Sequence, residues 1–456
     1  MQILQVEIKQ RKKIMKNNDL SSYNVGMVSL GCHKNQVDAE RMLAILNNKG
    51  FLLSSQINDC DVVIVNTCAF IEDAKQESIN EILNLCNLKN DKNYSRLKLI
   101  VVTGCLAERY QHTLKEQIPE IDVLVGIGGN KDIANLIIEG LNNNKKEFFP
   151  AKSDMMICGE RILTTPSHYA YLKIADGCNN RCTYCAIPMI KGSYKSEPRK
   201  QILEEAKQLA IAGVKELNII AQDVTCYGQD LYNKFVLPEL LKDLCKIDGI
   251  EWIRLLYCYP DKITDELIDV IANEEKIVKY IDIPFQHVND EVLKRMARKG
   301  DKQLILDVIS KLRAKIPNIV IRSTFIVGFP GETDEQFNEL LDFIKTAKLQ
   351  NVGCFKYSQE EDTKAAQFSD QISEEVKNIR YEALMRVQDE VIEEHRRSYS
   401  GKVYKILVED FNEENNLYYG RSYMQAPGID DYIEFDLSED YNGKTPEIGE
   451  FVDVKL

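Results

Sequence analysis

The sequence predicts an α/β protein of three domains: an N-terminal parallel α/β sheet over residues 25–150, a central open (β/α) barrel over 168–397 and a small C-terminal β-barrel over 398–456. Three observations predict it. Short apolar runs alternate with amphipathic stretches from Val25 to about Gly140, further β/α units follow from His168 without a long break, and the texture changes after residue 397. Apolar runs of this length suit strands buried on both faces, which is the pattern of a parallel sheet covered by helices.

In chain order, residues 1–24 are basic and polar and read as an extension. VGMVSL, DVVIVN and LKLIVVTG read as strands, with QVDAERMLAILNNKG and IEDAKQESINEILNL as the helices between them. NNNKKE near 142–147 and the mixed segment 151–167 read as a linker. AYLKIA, ELNIIAQD, WIRLLYCYP, YIDIPFQH, VIRSTFIVGF and NVGCFKYS then supply six strands, separated by helical patterns such as ILEEAKQLAIAG. Six successive β/α units predict a partial barrel. Beyond a charged helix near 372–397, KVYKILVED, LYYGRSYM, DYIEFDL and FVDVKL are short strands separated by turn residues.

Composition narrows the class. The chain of 456 residues carries 58 Lys+Arg against 71 Asp+Glu, a formal net charge of −13, so phosphate neutralisation is not its general surface design. No run approaches the roughly 20 apolar residues of a membrane span, and the N-terminus lacks the apolar core of a secretory signal, so a cytoplasmic protein is expected. Thirteen cysteines, an odd number without a secretory signal, point to metal ligation rather than a disulfide framework.

Cys178, Cys182 and Cys185 form CNNRCTYC directly after the first barrel strand. Three thiolates at this spacing can hold a 4Fe-4S cluster and leave one iron without a protein ligand. A structural zinc site wants four closed ligands, and no fourth Cys or His lies close by in sequence. Cys32 in VSLGCHKN, Cys68 in VIVNTCAF and Cys105 in VVTGCLAE each follow an apolar strand and precede a helix. The carboxyl ends of parallel strands share one edge, so these three can converge; buried core cysteines are the bland alternative. The other seven cysteines have no comparable spacing and read as core.

The CxxxCxxC motif at the end of the first barrel strand resembles the radical S-adenosylmethionine superfamily. The N-terminal trio resembles the methylthiotransferase branch, and GCHKNQVDAE, KYSQEEDTKAAQFSDQI and GRSYMQAP are similar to its RimO type. The resemblance runs from about Val25 to a C-terminal module similar to TRAM domains. It implies two 4Fe-4S clusters, S-adenosylmethionine as both methyl donor and radical source, and methylthiolation at the β-carbon of an aspartate in small-subunit ribosomal protein twelve. It also implies a flavodoxin- or ferredoxin-type electron donor, and names no sulfur donor. Two residues depart from the expected pattern: His33 stands in place of proline and Lys191 in place of arginine, which removes any planar bidentate contact there.

Position at strand ends makes Gln222, Asp223, Gln286 and Arg322 candidates to contact S-adenosylmethionine, together with the GFPGE loop from Gly328 to Glu332. A tight strand-to-helix turn explains those glycines equally well. His168 and His287 read as structural. The sequence leaves two rivals: the same chemistry on a tRNA adenosine, as in the MiaB type, and a metal-containing nucleic-acid-binding protein without catalysis. Charge argues against both. Residues 401–456 hold 13 acidic and 5 basic residues, a formal balance of −8, which repels phosphates and suits a basic ribosomal protein.

Overall fold

The computed structural model describes residues 20–91, 96–436 and 445–456. Most of the expected N-terminal extension, and Glu439, Asp440 and Lys444 of the C-terminal charge balance, lie outside the described residues. The chain divides into two compact units, the first running to Thr164 and taking in Met189–Lys191, the second comprising Thr165–Pro188 and Gly192–Leu456.

The first unit is built on β1 (Asn24–Ser29), β2 (Leu52–Leu53), β3 (Val62–Thr67), β4 (Leu99–Gly104), β5 (Val123–Val125) and β6 (Lys146–Phe148). All pair in parallel in the order β2-β1-β3-β4-β5-β6. β3 and β4 are buried at every residue, as strands covered on both faces must be. Val25, Ile64, Val101 and Val123 meet Met42 and Leu46 of the helix His33–Lys49, and Ile133 and Ile137 of the helix Ile133–Leu141, in one core. The chain steps from β1 out to β2 and then returns to β3 on the other side. The β1/β3 boundary is therefore a topological switch point, where open parallel sheets form a crevice at the strand carboxyl ends. The segment read as a linker is packed here instead: Lys146–Phe148 is the edge strand, Met155 and Ile157 are buried, and Thr164 N donates to Glu40 Oε1 at 2.9 Å.

In the second unit, β7 (Tyr169–Lys173) is followed by the short antiparallel pair β8 (Ala175–Asp176) and β9 (Lys195–Ser196), which brackets the CNNRCTYC loop. β10 (Glu216–Ile220), β11 (Trp252–Leu255), β12 (Ile277–Asp282), β13 (Val320–Val327) and β14 (Asn351–Lys356) complete a six-stranded parallel sheet in the order β14-β13-β12-β11-β10-β7. Neighbours in the sheet are neighbours in sequence, so all the strand-to-helix loops open at one rim.

The last four strands, β15 (Val403–Asn412), β16 (Leu417–Arg421), β17 (Ile433–Phe435) and β18 (Phe451–Lys455), form an antiparallel sheet in the order β17-β16-β15-β18. Its core is Ile406, Val408, Tyr418, Phe435, Val452 and Val454. The segment from Arg421 to Asp430 plugs the barrel: Arg254 donates to Tyr423 O at 2.7 Å, Tyr171 to Pro427 O at 2.9 Å, Tyr280 to Asp430 Oδ2 at 2.8 Å and Asn351 to Met424 O at 3.1 Å. Among the described residues no helix is long and apolar enough to cross a membrane.

Candidate functional site

In the first unit Cys32, Cys68 and Cys105 follow β1, β3 and β4, at the carboxyl edge beside the switch point. Asn35 ties the three loops together. Its Nδ2 donates to Leu30 O at 3.1 Å and Thr67 O at 2.8 Å, its backbone N to Cys32 O at 2.9 Å, and its Oδ1 lies 3.7 Å from Cys105 Sγ. Glycine is required twice. A Cβ on Gly31, at φ +85°, would stand 2.7 Å from Cys68 Sγ, and one on Gly104, at φ +94°, 2.5 Å from Thr67 O. Burial, then the neighbouring Cys32, pushes the Cys68 thiol up to about 11, against the backbone N–H groups of Phe70 and Ala69. A buried sulfur that is costly to ionise yet faced by N–H donors suits a thiolate neutralised by iron. Lys191 is buried and reaches Asp38 Oδ2 at 3.3 Å, with Arg41 3.7 Å from the other oxygen. Lys191 thus meets Asp38 as a point charge at the position where arginine was expected.

In the second unit the loop carrying Cys178, Cys182 and Cys185 is pinned on several sides. Gly177, at φ +77°, opens it where a Cβ would stand 2.2 Å from Ser193 O. Asn180 N points at Cys178 Sγ at 3.5 Å, Thr183 N donates to Met296 O at 3.0 Å, and Tyr259 Oη stands 3.0 Å from Cys182 Sγ. Burial, then Cys182, raises the Cys185 thiol; burial also raises Cys178, against the Asn180 N–H. All six cysteines of the two trios are free thiols. Among the described residues no three His, Cys, Asp or Glu side chains gather closely enough to share one metal ion, whereas the thiolates of a 4Fe-4S cluster each take their own iron and stand farther apart.

The four strand-end candidates divide into two kinds. Gln222 donates to Asp176 Oδ1 at 2.7 Å and leaves its own Oε1 buried without a partner, an acceptor open to a ligand. Gln286 sits at φ +73°, strain of the kind found at functional positions, while its backbone bridges to β13. Asp223 and Arg322 are instead engaged by the protein. Asp223 is fully buried and accepts from Lys262 and from Asn180, each at 2.8 Å; burial raises its carboxyl, but Lys262 outweighs this and holds it below the ordinary value. Arg322 donates to Asp282 Oδ1 at 3.1 Å and lies 3.6 Å from Asp430, so the anion that its burial demands comes from the chain itself.

The GFPGE loop is a turn held from below: Glu332 accepts from Phe329 N at 3.0 Å and lies 3.5 Å from Arg380. His168 is buried 3.1 Å from Glu409, in ion-pair range though not in hydrogen-bond geometry, and His287 accepts from Asn289 N at 3.0 Å. Asn35, Asn180, Tyr259 and Lys262 were not among the sequence candidates, nor was Arg298, whose Nη1 points at Cys182 Sγ from 4.0 Å. Asn180 lay inside the motif and Tyr259 just beyond a strand end, but Arg298 follows a helix and carried no signal.

Residues 24–126 match the model described as Uncharacterized protein family UPF0004, residues 172–344 that of the Radical SAM superfamily and residues 401–456 that of the TRAM domain. A ribosomal protein uS12 methylthiotransferase RimO from Thermoanaerobacter sp. (strain X514) is 51% identical over 412 residues, 90% of this chain and 93% of its own. One from Clostridium tetani (strain Massachusetts / E88) is 47% identical over 438 residues, 96% of each chain. The solved structure of the radical S-adenosylmethionine methyltransferase TsrM from Kitasatospora setae, with tryptophan and an S-adenosylmethionine analogue, covers 73% of this chain and 72% of its own at a TM-score of 0.54. At 14% identity that is a likeness of fold alone.

Proposed function

This chain belongs to the RimO family of ribosomal protein uS12 methylthiotransferases, and from that premise we propose that it inserts a methylthio group at the β-carbon of an aspartate of uS12. The observation that carries the reading is the 51% identity over 90% of the chain, in a protein whose two cysteine trios each lie at the carboxyl edge of a parallel sheet. The reaction belongs in the cytoplasm, with an electron donor of the flavodoxin or ferredoxin type.

Cys178, Cys182 and Cys185 would hold the radical cluster, and Cys32, Cys68 and Cys105 the second. Bound there, the clusters and S-adenosylmethionine supply the electron, the hydrogen-abstracting radical and the sulfur-bearing group, chemistry beyond the reach of side chains. The chain's own work is placement. Asp223, neutralised by Lys262, fixes the cluster loop through Asn180. Gln222 offers its unpaired Oε1, and Gln286 its strained position, to S-adenosylmethionine. Arg322 braces the barrel wall between Asp282 and Asp430. The Arg421–Asp430 plug occupies the strand end opposite the cysteine rim, leaving the rim as the entry for substrate.

Exposed Glu413, Glu414, Asp431, Glu434 and Asp453 give the C-terminal sheet an acidic surface that would draw in a basic ribosomal protein and repel RNA. The test is anaerobic incubation of reconstituted enzyme with S-adenosylmethionine, a reductant and either uS12 or tRNA, read by mass spectrometry. A methylthio increment on the uS12 aspartate together with 5'-deoxyadenosine is expected; methylthiolated adenosine in tRNA with unmodified uS12 would reverse the substrate assignment.

A further inference from the structure

Cys182 differs from Cys178 and Cys185 in what faces its sulfur. Tyr259 Oη stands 3.0 Å from Cys182 Sγ, and Arg298 Nη1 points at the same sulfur from 4.0 Å. The two partners are built as one unit: the Arg298 guanidinium stacks over the Tyr259 ring, 3.8 Å from its centroid, and Lys262 Nζ lies 4.5 Å from that centroid. Arg298 is locked by donation from Nη2 to Pro284 O at 2.6 Å. All three side chains sit in a dry environment, with Cys182, Tyr259 and Arg298 each 8% exposed.

Once Cys182 ligates iron its sulfur carries no proton and can only accept, so the phenol and the guanidinium both donate to it. The Arg298 cation against the ring face draws electron density from the phenol and strengthens its O–H as a donor, whereas Lys262 is paired with Asp223. One-electron reduction of a cluster adds a negative charge that spreads onto its sulfur ligands. A fixed cation and a hydrogen bond at one of them stabilise the reduced state more than the oxidised one, and low local dielectric enlarges the difference.

We propose that Tyr259 and Arg298 are positioning residues that raise the reduction potential of the radical cluster through Cys182, easing electron transfer from a low-potential donor. The proposal rests on the assignment of Cys178, Cys182 and Cys185 to that cluster. No proton need accompany the electron, because Arg298 already carries the compensating charge.

The experiment is a potentiometric titration of the reconstituted full-length holoenzyme, followed by the electron paramagnetic resonance signal that changes when S-adenosylmethionine is added. Arg298→Gln should lower the ratio of reduced to oxidised cluster at a fixed potential by about tenfold, a midpoint shift of about 59 mV for one electron. Tyr259→Phe should move it in the same direction by less, and Arg298→Lys should keep most of the wild-type value. Unchanged midpoints in Arg298→Gln and Tyr259→Phe, at full iron content, would overturn the proposal. If Arg298→Gln fails to take up iron, Tyr259→Phe, which removes a single oxygen, decides alone. A wild-type signal indifferent to S-adenosylmethionine would overturn the cluster assignment itself, an outcome distinct from a responsive cluster whose potential ignores these residues.

Discussion

Arg421 and Glu216 meet at 2.7 Å with both side chains fully buried, joining the C-terminal sheet to the second strand of the barrel. Glu216 is shared with Arg254 at 2.8 Å, and Arg421 also reaches Glu409. Breaking a buried network leaves uncompensated charge, so Arg421→Met should cost about 3–5 kcal/mol. Urea denaturation at neutral pH checks this, and a loss under 1 kcal/mol would mean that water relieves the site.

The same carboxylate sets a pH dependence. Burial opposes ionisation of Glu216, but Arg421 and Arg254 outweigh it and hold its carboxyl below the ordinary value. Its stabilising contribution is therefore complete above the unfolded value of about 4.3 and is lost as pH falls through the lowered folded one. The stability gap between wild type and Glu216→Gln should be widest at neutral pH and close in acid, measured by urea unfolding at a series of pH values. A gap that stays constant into acid would remove ionic pairing as its cause.

Neighbouring acids in the C-terminal sheet should behave oppositely. Asp430 is no steering charge: it accepts from Ala426 N and from Tyr280, each at 2.8 Å, and burial raises its carboxyl despite the nearby Arg322. Asp430→Asn keeps both hydrogen bonds and should change stability by less than about 1 kcal/mol, whereas Asp430→Lys buries a second cation beside Arg322 and should cost about 3 kcal/mol or more. Asp431, Glu413 and Glu414 are exposed. Reversing those three should leave the thermal midpoint alone, slow association with uS12 and flatten its salt dependence, as stopped-flow measurements at two ionic strengths would show.

Gly31 should be needed for cluster loading. A Cβ there would stand 2.5 Å from Cys68 Cβ in a backbone conformation at φ +85°. Gly31→Ala should therefore reduce iron from about eight per chain to about four, the content of one 4Fe-4S cluster, while far-ultraviolet circular dichroism stays near wild type. Full iron content would show that the loop can move aside.

The two trios should separate by mutation. Alanine at Cys178, Cys182 or Cys185 should abolish reductive cleavage of S-adenosylmethionine, while alanine at Cys32, Cys68 or Cys105 should abolish methylthiolation and leave some cleavage. Full methylthio product from the N-terminal variants would return those residues to the core.

What the sequence determined by itself was periodic or local. The alternation of apolar runs and amphipathic stretches gave both parallel sheets, because a strand covered on two faces must be apolar throughout. The CxxxCxxC spacing put three cysteines on one loop with little tertiary help, because they lie within eight residues. That Cys32, Cys68 and Cys105 share one edge was legible because parallel strands bring their carboxyl ends together. Tertiary structure alone decided which groups of the protein a polar strand-end residue engages. Asp223 and Arg322 looked like ligand contacts from their place at strand ends, and the fold engages them with Lys262 and with Asp282 and Asp430. Asp430 and Glu409 counted as surface charge, and the fold buries them. Arg298 carried no mark at all, 116 residues from the sulfur at which it points. Burial and long-range pairing depend on which elements pack together, and a buried charge takes whichever partner the packing supplies.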